Sequence, residues 1–142
     1  MTADPAFWTP VVDRVLRDVA ATTDLGTTWR FQHRTTEPDV LRTPGLTLWF
    51  GDDGPGEWVV PDPVLELRLP RTRFELPDLR DVDEALLFLA DRVQDHLVDE
   101  LHGAWPLCPG HTHPMRPAPS GTGPAWRCPA GTGADVEVGA LR

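Results

Sequence analysis

The stretch DVDEALLFLADRVQDHLVDELHG, residues 81–103, decides the fold. Val82, Leu86, Leu89, Val93, Leu97 and Leu101 recur at three- and four-residue steps, the period of a helix with one apolar face. Ala85, Ala90 and Val98 widen that stripe. Asp81 followed by Glu84 resembles a capping box with Asp in place of Ser or Thr. Gly103 stands where a helix end favours positive φ. The spacing predicts a helix over 82–102, about 32 Å long at ~1.5 Å per residue, enough to cross a sheet.

Upstream of it the period changes to two. In 27–34, Trp29, Phe31 and His33 alternate with Arg30, Gln32 and Arg34, as in a half-buried strand. Leu46–Phe50, Glu57–Val60 and Val64–Leu69 read as three more strands, the first two joined across the turn-rich Gly51–Gly56. That turn resembles a calcium loop only superficially, because the downstream Glu is missing. Short connections favour an antiparallel meander. At the N-terminal end, Thr9-Pro10 looks like a helix start. Val11, Val12, Val15, Leu16 and Val19 form the buried stripe behind it, with Asp13, Arg14, Arg17 and Asp18 on the other face. Phe7 and Trp8 staple the entry of this helix, and Gly26 ends it. The expectation is an α+β body over 1–103: an N-terminal helix, a four-stranded antiparallel meander and the long helix. A Pro/Gly-rich ribbon over 104–142 then packs on that body, anchored by Trp105 and Trp126.

Charge and composition narrow the function. The 142-residue chain has a formal charge of -9, and all 13 of its basic residues are Arg. Lys, Ile, Asn and Tyr are absent and Ser120 is the lone Ser, a bias that a GC-rich bacterial genome produces. The gaps exclude a Schiff-base Lys, a Walker phosphate loop and a Tyr acid. Clustered cations for nucleic acid are missing, since the ribbon holds just Arg116, Arg127 and Arg142. An acidic membrane surface is disfavoured for the same reason. No apolar run suits a membrane span, and 1–13 lacks the basic start of a signal peptide, so a cytoplasmic protein is expected.

The ribbon carries the chemistry. From Gly103 onward there are seven Pro and seven Gly, with little apolar periodicity, so another staple is needed. Cys108, His111, His113 and Cys128 follow the pattern C-x2-H-x-H-x14-C, and Pro follows both cysteines and His113. Zinc takes four N/S ligands in a tetrahedron, and these residues supply four. The segments Cys108-Pro109 and Trp126-Arg127-Cys128-Pro129 resemble a zinc ribbon, which has two Cys-Pro knuckles face to face. The likeness implies structural zinc. Its departure is Gly131, standing three residues after Cys128 where a ribbon has a ligand; either that ligand is lost or His113 replaces it. The whole tail also resembles uncharacterised small proteins of high-GC actinobacteria, a likeness that implies no activity.

Other readings of the cluster stay open. The cysteines form a metal-free relic pair or a disulfide. Alternatively Cys108 is a nucleophile beside His111 or His113, or the H-x-H pair holds a catalytic metal with an Asp. His102 is a substitute for His113 as ligand. Asp91, Asp95 and Asp99 form an acidic row on the long helix, a solvated face or a seat for a basic partner. Trp49 and Trp58 flank the turn as a stacked pair or a partner surface. The function expected is a non-enzymatic protein-binding or adaptor protein with structural zinc. Its partner is another protein with a basic surface, or a second copy through a free sheet face or edge. The alternative is a small metal-dependent hydrolase or thiol enzyme using the same cluster.

Overall fold

The structure is a computed structural model that describes residues 3–33, 46–49, 63–68 and 73–142. The elements are α1 (Pro5–Thr22), β1 (Thr28–His33), β2 (Leu46–Trp49), β3 (Pro63–Arg68), β4 (Arg73–Leu76), α2 (Val82–Leu101), β5 (Arg116–Ser120), β6 (Gly123–Arg127) and β7 (Val136–Glu137). They divide between two compact units, 1–9 with 25–80 and 10–24 with 81–142, the division falling inside α1. Among the described residues no helix is long and apolar enough to cross a membrane.

In the first unit the expected meander is wrong. The sheet runs β1-β3-β2-β4, with β1/β3 and β2/β4 antiparallel and β2/β3 parallel through Trp49 and Glu66. Chain proximity favours hairpins, but residues 50–62 lie between β2 and β3, the dozen or so that a parallel crossover requires. The strand beside β2 is β4, through Leu46↔Leu76 to Trp49↔Arg73, a segment not expected to be extended. The expected strand Glu57–Val60, the Gly51–Gly56 turn and Trp58 lie outside the described residues.

The first helix starts earlier than Thr9-Pro10. An Asp4 side-chain oxygen accepts from the Ala6 N–H (2.9 Å) and its carbonyl from the Trp8 N–H (3.0 Å). Pro5 therefore takes the first helical position, where its missing N–H costs nothing. Pro10 sits inside the helix, while the Thr9 hydroxyl donates to the Pro5 carbonyl at 2.8 Å.

The second unit has a core built from three sources. Val11, Val12, Val15, Leu16 and Val19 come from α1, and Ala85, Leu86, Leu89, Ala90, Val93 and Leu97 from α2. The third set is Trp105, Met115, Ala125, Trp126 and Val138. An Asp81 oxygen accepts from the Glu84 N–H at 2.8 Å, the cap read from sequence. The ends of the expected α2 stripe are exposed, Val82 by 48% and Leu101 by 40%. At the C-terminal end His102, not Gly103, takes the left-handed conformation (φ 51°). The Gly103 N–H closes the turn on the Val98 carbonyl at 3.3 Å. Residues 116–137 then form a three-stranded antiparallel sheet, β5-β6-β7, whose first hairpin turns through Gly121-Thr122.

Candidate metal centre

Two Pro-containing turns present the cysteines. In the first, the His111 N–H donates to the Cys108 carbonyl at 3.1 Å, with Pro109 second and Gly110 third at φ 78°. Pro fixes the second position of such a turn, and only a glycine-like residue takes the third cheaply. The turn tips a small hairpin. The Cys108 N–H donates to the His113 carbonyl (3.1 Å) and the Met115 N–H to the Pro106 carbonyl (2.8 Å), and Leu107 bridges to Pro114. The hairpin brings His113 back beside Cys108. In the second turn the Gly131 N–H donates to the Cys128 carbonyl at 3.0 Å, and Gly131 takes the positive φ of 71°.

The ligand atoms of Cys108, His111, His113 and Cys128 all lie within 4.8 Å of one another, close enough to hold a metal ion. His111 Nδ1 stands between the two sulfurs, 3.3 Å from Cys108 Sγ and 3.5 Å from Cys128 Sγ. His113 Nδ1 lies 3.2 Å from the Pro114 carbonyl oxygen, which can only accept. That bond places the proton on Nδ1 and leaves the Nε2 lone pair for a metal, the outer-shell device that fixes a histidine tautomer. The two imidazoles stack at 4.6 Å and 26°. His113 thus joins the set that Gly131 leaves one short. His102 is not in the cluster.

The two thiols differ. Cys108 is buried and Cys128 half-buried. Burial first, then the neighbouring Cys128, pushes the Cys108 thiol above its ordinary range. Burial alone would raise Cys128 as well. The Thr132 hydroxyl, with Oγ1 3.6 Å from Sγ, and the backbone groups of Thr132 and Ala130 outweigh it and bring Cys128 down to about 6. Hydrogen bonds to a thiolate stabilise the charged form, which is the form a metal takes.

Sequence reasoning missed what holds the site to its unit. Gln94 on α2, over nine-tenths buried, donates through Nε2 to the Trp105 carbonyl (3.0 Å) and to the Met115 carbonyl. These carbonyls flank the hairpin of Cys108 and His113 on both sides. Asp18, expected on a solvated face, is fully buried. Its carboxylate accepts from Trp126 Nε1 (2.7 Å) and from the Gly139 (2.6 Å) and Leu141 (2.9 Å) N–H groups. Arg14 Nε donates to the Val138 carbonyl at 2.7 Å. The signal was available. Asp18 and Gln94 continue the rows Val11-Val15 and Leu86-Ala90 at helical steps, so each sits on an apolar stripe. Trp105 and Trp126 both reach α1. They meet edge to face at 5.3 Å, and Trp105 Nε1 donates to Thr22 Oγ1 at 2.9 Å.

Asp91, Asp95 and Asp99 are exposed and line one side of a groove of about 710 Å³, with Pro114, Arg116 and Pro117 opposite. A second cleft, of about 580 Å³, is walled by Leu101, Trp105, Leu107, Met115, Val136 and Leu141. No known family, curated protein or solved structure matches the chain.

Proposed function

We propose that the chain is a non-catalytic protein-binding or adaptor protein of the cytoplasm, whose ribbon is built around one structural zinc ion. The observation that carries the reading is the convergence of two thiols and two imidazoles from separate turns within 4.8 Å. Tetrahedral ligands at about 2.0–2.3 Å from one zinc lie about 3.3–3.8 Å apart, so the gathered set closes on the ion with shifts on the order of 1 Å. Four N/S donors fill a tetrahedral zinc, whereas a catalytic zinc keeps a position for water. Metal binding then supplies folding energy to a segment poor in apolar residues.

The surface beside the site suits a protein partner. Leu107, 60% exposed, and Leu101 edge the apolar cleft, and the acidic row of α2 favours a basic neighbour. The competing reading, a metal-dependent hydrolase or thiol enzyme, draws support from the Cys128–His111 contact of 3.5 Å. It requires an open coordination position or an oriented base.

The test is metal analysis and a pull-down on one sample of purified protein. About one zinc per chain is expected, with loss of ribbon amide dispersion on chelation. Less than about 0.2 equivalents of metal with both thiols freely titratable overturns the zinc site. Recovery of no partner, with a turnover that His111→Ala abolishes, overturns the non-catalytic reading.

A further inference from the structure

We infer that the site is a redox switch, in which hydrogen peroxide joins Cys108 to Cys128 as a disulfide and expels the zinc. This rests on the zinc reading above and adds its regulation. Cys108 and Cys128 are the only cysteines of the chain. Two separate turns, whose cysteines have 19 residues between them, bring their sulfurs within 4.8 Å of each other. The same His111 nitrogen lies against both. No other thiol of this chain competes for either sulfur.

Exposure sets the order of events. Cys128 is half-buried and is the more exposed of the two residues, whereas Cys108 is 2% exposed. The Cys128 thiolate attacks one peroxide oxygen. An S–O bond forms, the O–O bond breaks, and hydroxide leaves. The Cys108 sulfur then attacks the Cys128 sulfur. The S–S bond forms, the S–O bond breaks, and a second hydroxide leaves. The two sulfurs give up two electrons, the peroxide accepts them, and two protons from solvent complete two waters. Two imidazoles alone remain on the ion, half of what a structural zinc requires, so it dissociates. Cys108 protects its partner, because a sulfenic acid captured at once as a disulfide does not climb to the irreversible sulfinic state. A thiol reductant with zinc restores the site.

The test treats the full chain, loaded with zinc, with hydrogen peroxide. Zinc release is followed with a chromogenic chelator, thiols are counted, and products are mapped by mass. Expected are loss of the single zinc and both thiols together, a Cys108–Cys128 cross-link within one chain, and full recovery with dithiothreitol and zinc. Cys108→Ser, which has no resolving thiol, is expected to carry sulfinic acid on Cys128. Failure of the wild-type chain to take up zinc overturns the zinc reading and the switch with it. If zinc binds, three results overturn the switch alone: metal retained under excess peroxide, a disulfide between chains, or sulfinic Cys128 beside a free Cys108 in the wild type.

Discussion

Asp18 holds the ribbon to α1 through one carboxylate and three N–H donors, those of Trp126 Nε1, Gly139 and Leu141. Asp18→Ala strips all three of their acceptor. Buried donors left unsatisfied cost about 1–3 kcal/mol each, partly recovered where water enters, so a loss of about 3 kcal/mol is expected in urea unfolding. The pH dependence has a defined sign. Burial outweighs the donors and raises the Asp18 carboxyl above its ordinary 3.8. Between that unfolded value and the higher folded one, the folded chain holds a proton that the unfolded chain has released. The contribution of Asp18 to stability is therefore full below the unfolded value and is lost as pH rises through the folded one. Asp18→Asn does not titrate, so the stability of the wild type relative to it should grow as pH is lowered through that window. A difference that shrinks on acidification would show that the three donors, not burial, set the proton affinity.

At the scale of elements, α2 shows what periodicity conveys and what it omits. Its span and its Asp81 cap follow from sequence, because apolar steps and a cap acceptor are local properties. Its C-terminal end does not, because His102 and Gly103 are both able to close the turn and only packing chooses between them. The helix places His102 at φ 51°, where a Cβ is strained. His102→Gly is expected to stabilise the protein by about 0.5–1 kcal/mol, read as a raised urea midpoint at unchanged slope. A destabilisation would mean that the imidazole makes a contact worth more than the strain. The same division between local and non-local runs through the rest of the chain. Cys108, His111, His113 and Cys128 were legible as a set because metal-ligand residue types are few here and their spacing is tight. Gln94 and Asp18 were not, because a polar residue on an apolar row announces burial only once its partners, eleven to 123 residues away, are known. The order β1-β3-β2-β4 was hidden for a like reason, since alternation marks a strand without naming its neighbour.

The second unit is assembled from two pieces of chain, 10–24 and 81–142, with the whole of 25–80 between them in sequence. Hydrogen bonds tie 10–24 to the ribbon. Trp105 reaches Thr22, Trp126 and two backbone N–H groups reach Asp18, and Arg14 reaches Val138. Of these anchors, Trp126 is two residues from Cys128 and Trp105 is three from Cys108, so ligands and anchors are neighbours in sequence. The proposed zinc therefore stabilises a helix almost ninety positions upstream of its first ligand, through contacts rather than through chain continuity. Metal linked to the folded form alone adds stability to every element that must be in place for it to bind. Chelation is expected to speed amide hydrogen exchange in residues 11–22 together with 105–141, and added zinc to restore protection in both. The coupling works through Asp18, so in Asp18→Ala the exchange of 11–22 should already be fast with zinc bound and should respond little to its removal. Ribbon amides that lose protection while 11–22 keeps its own would mean that the α1 segment stands on the α2 stripe without the ribbon. In that case the buried carboxylate serves to place the tail and not to hold the helix.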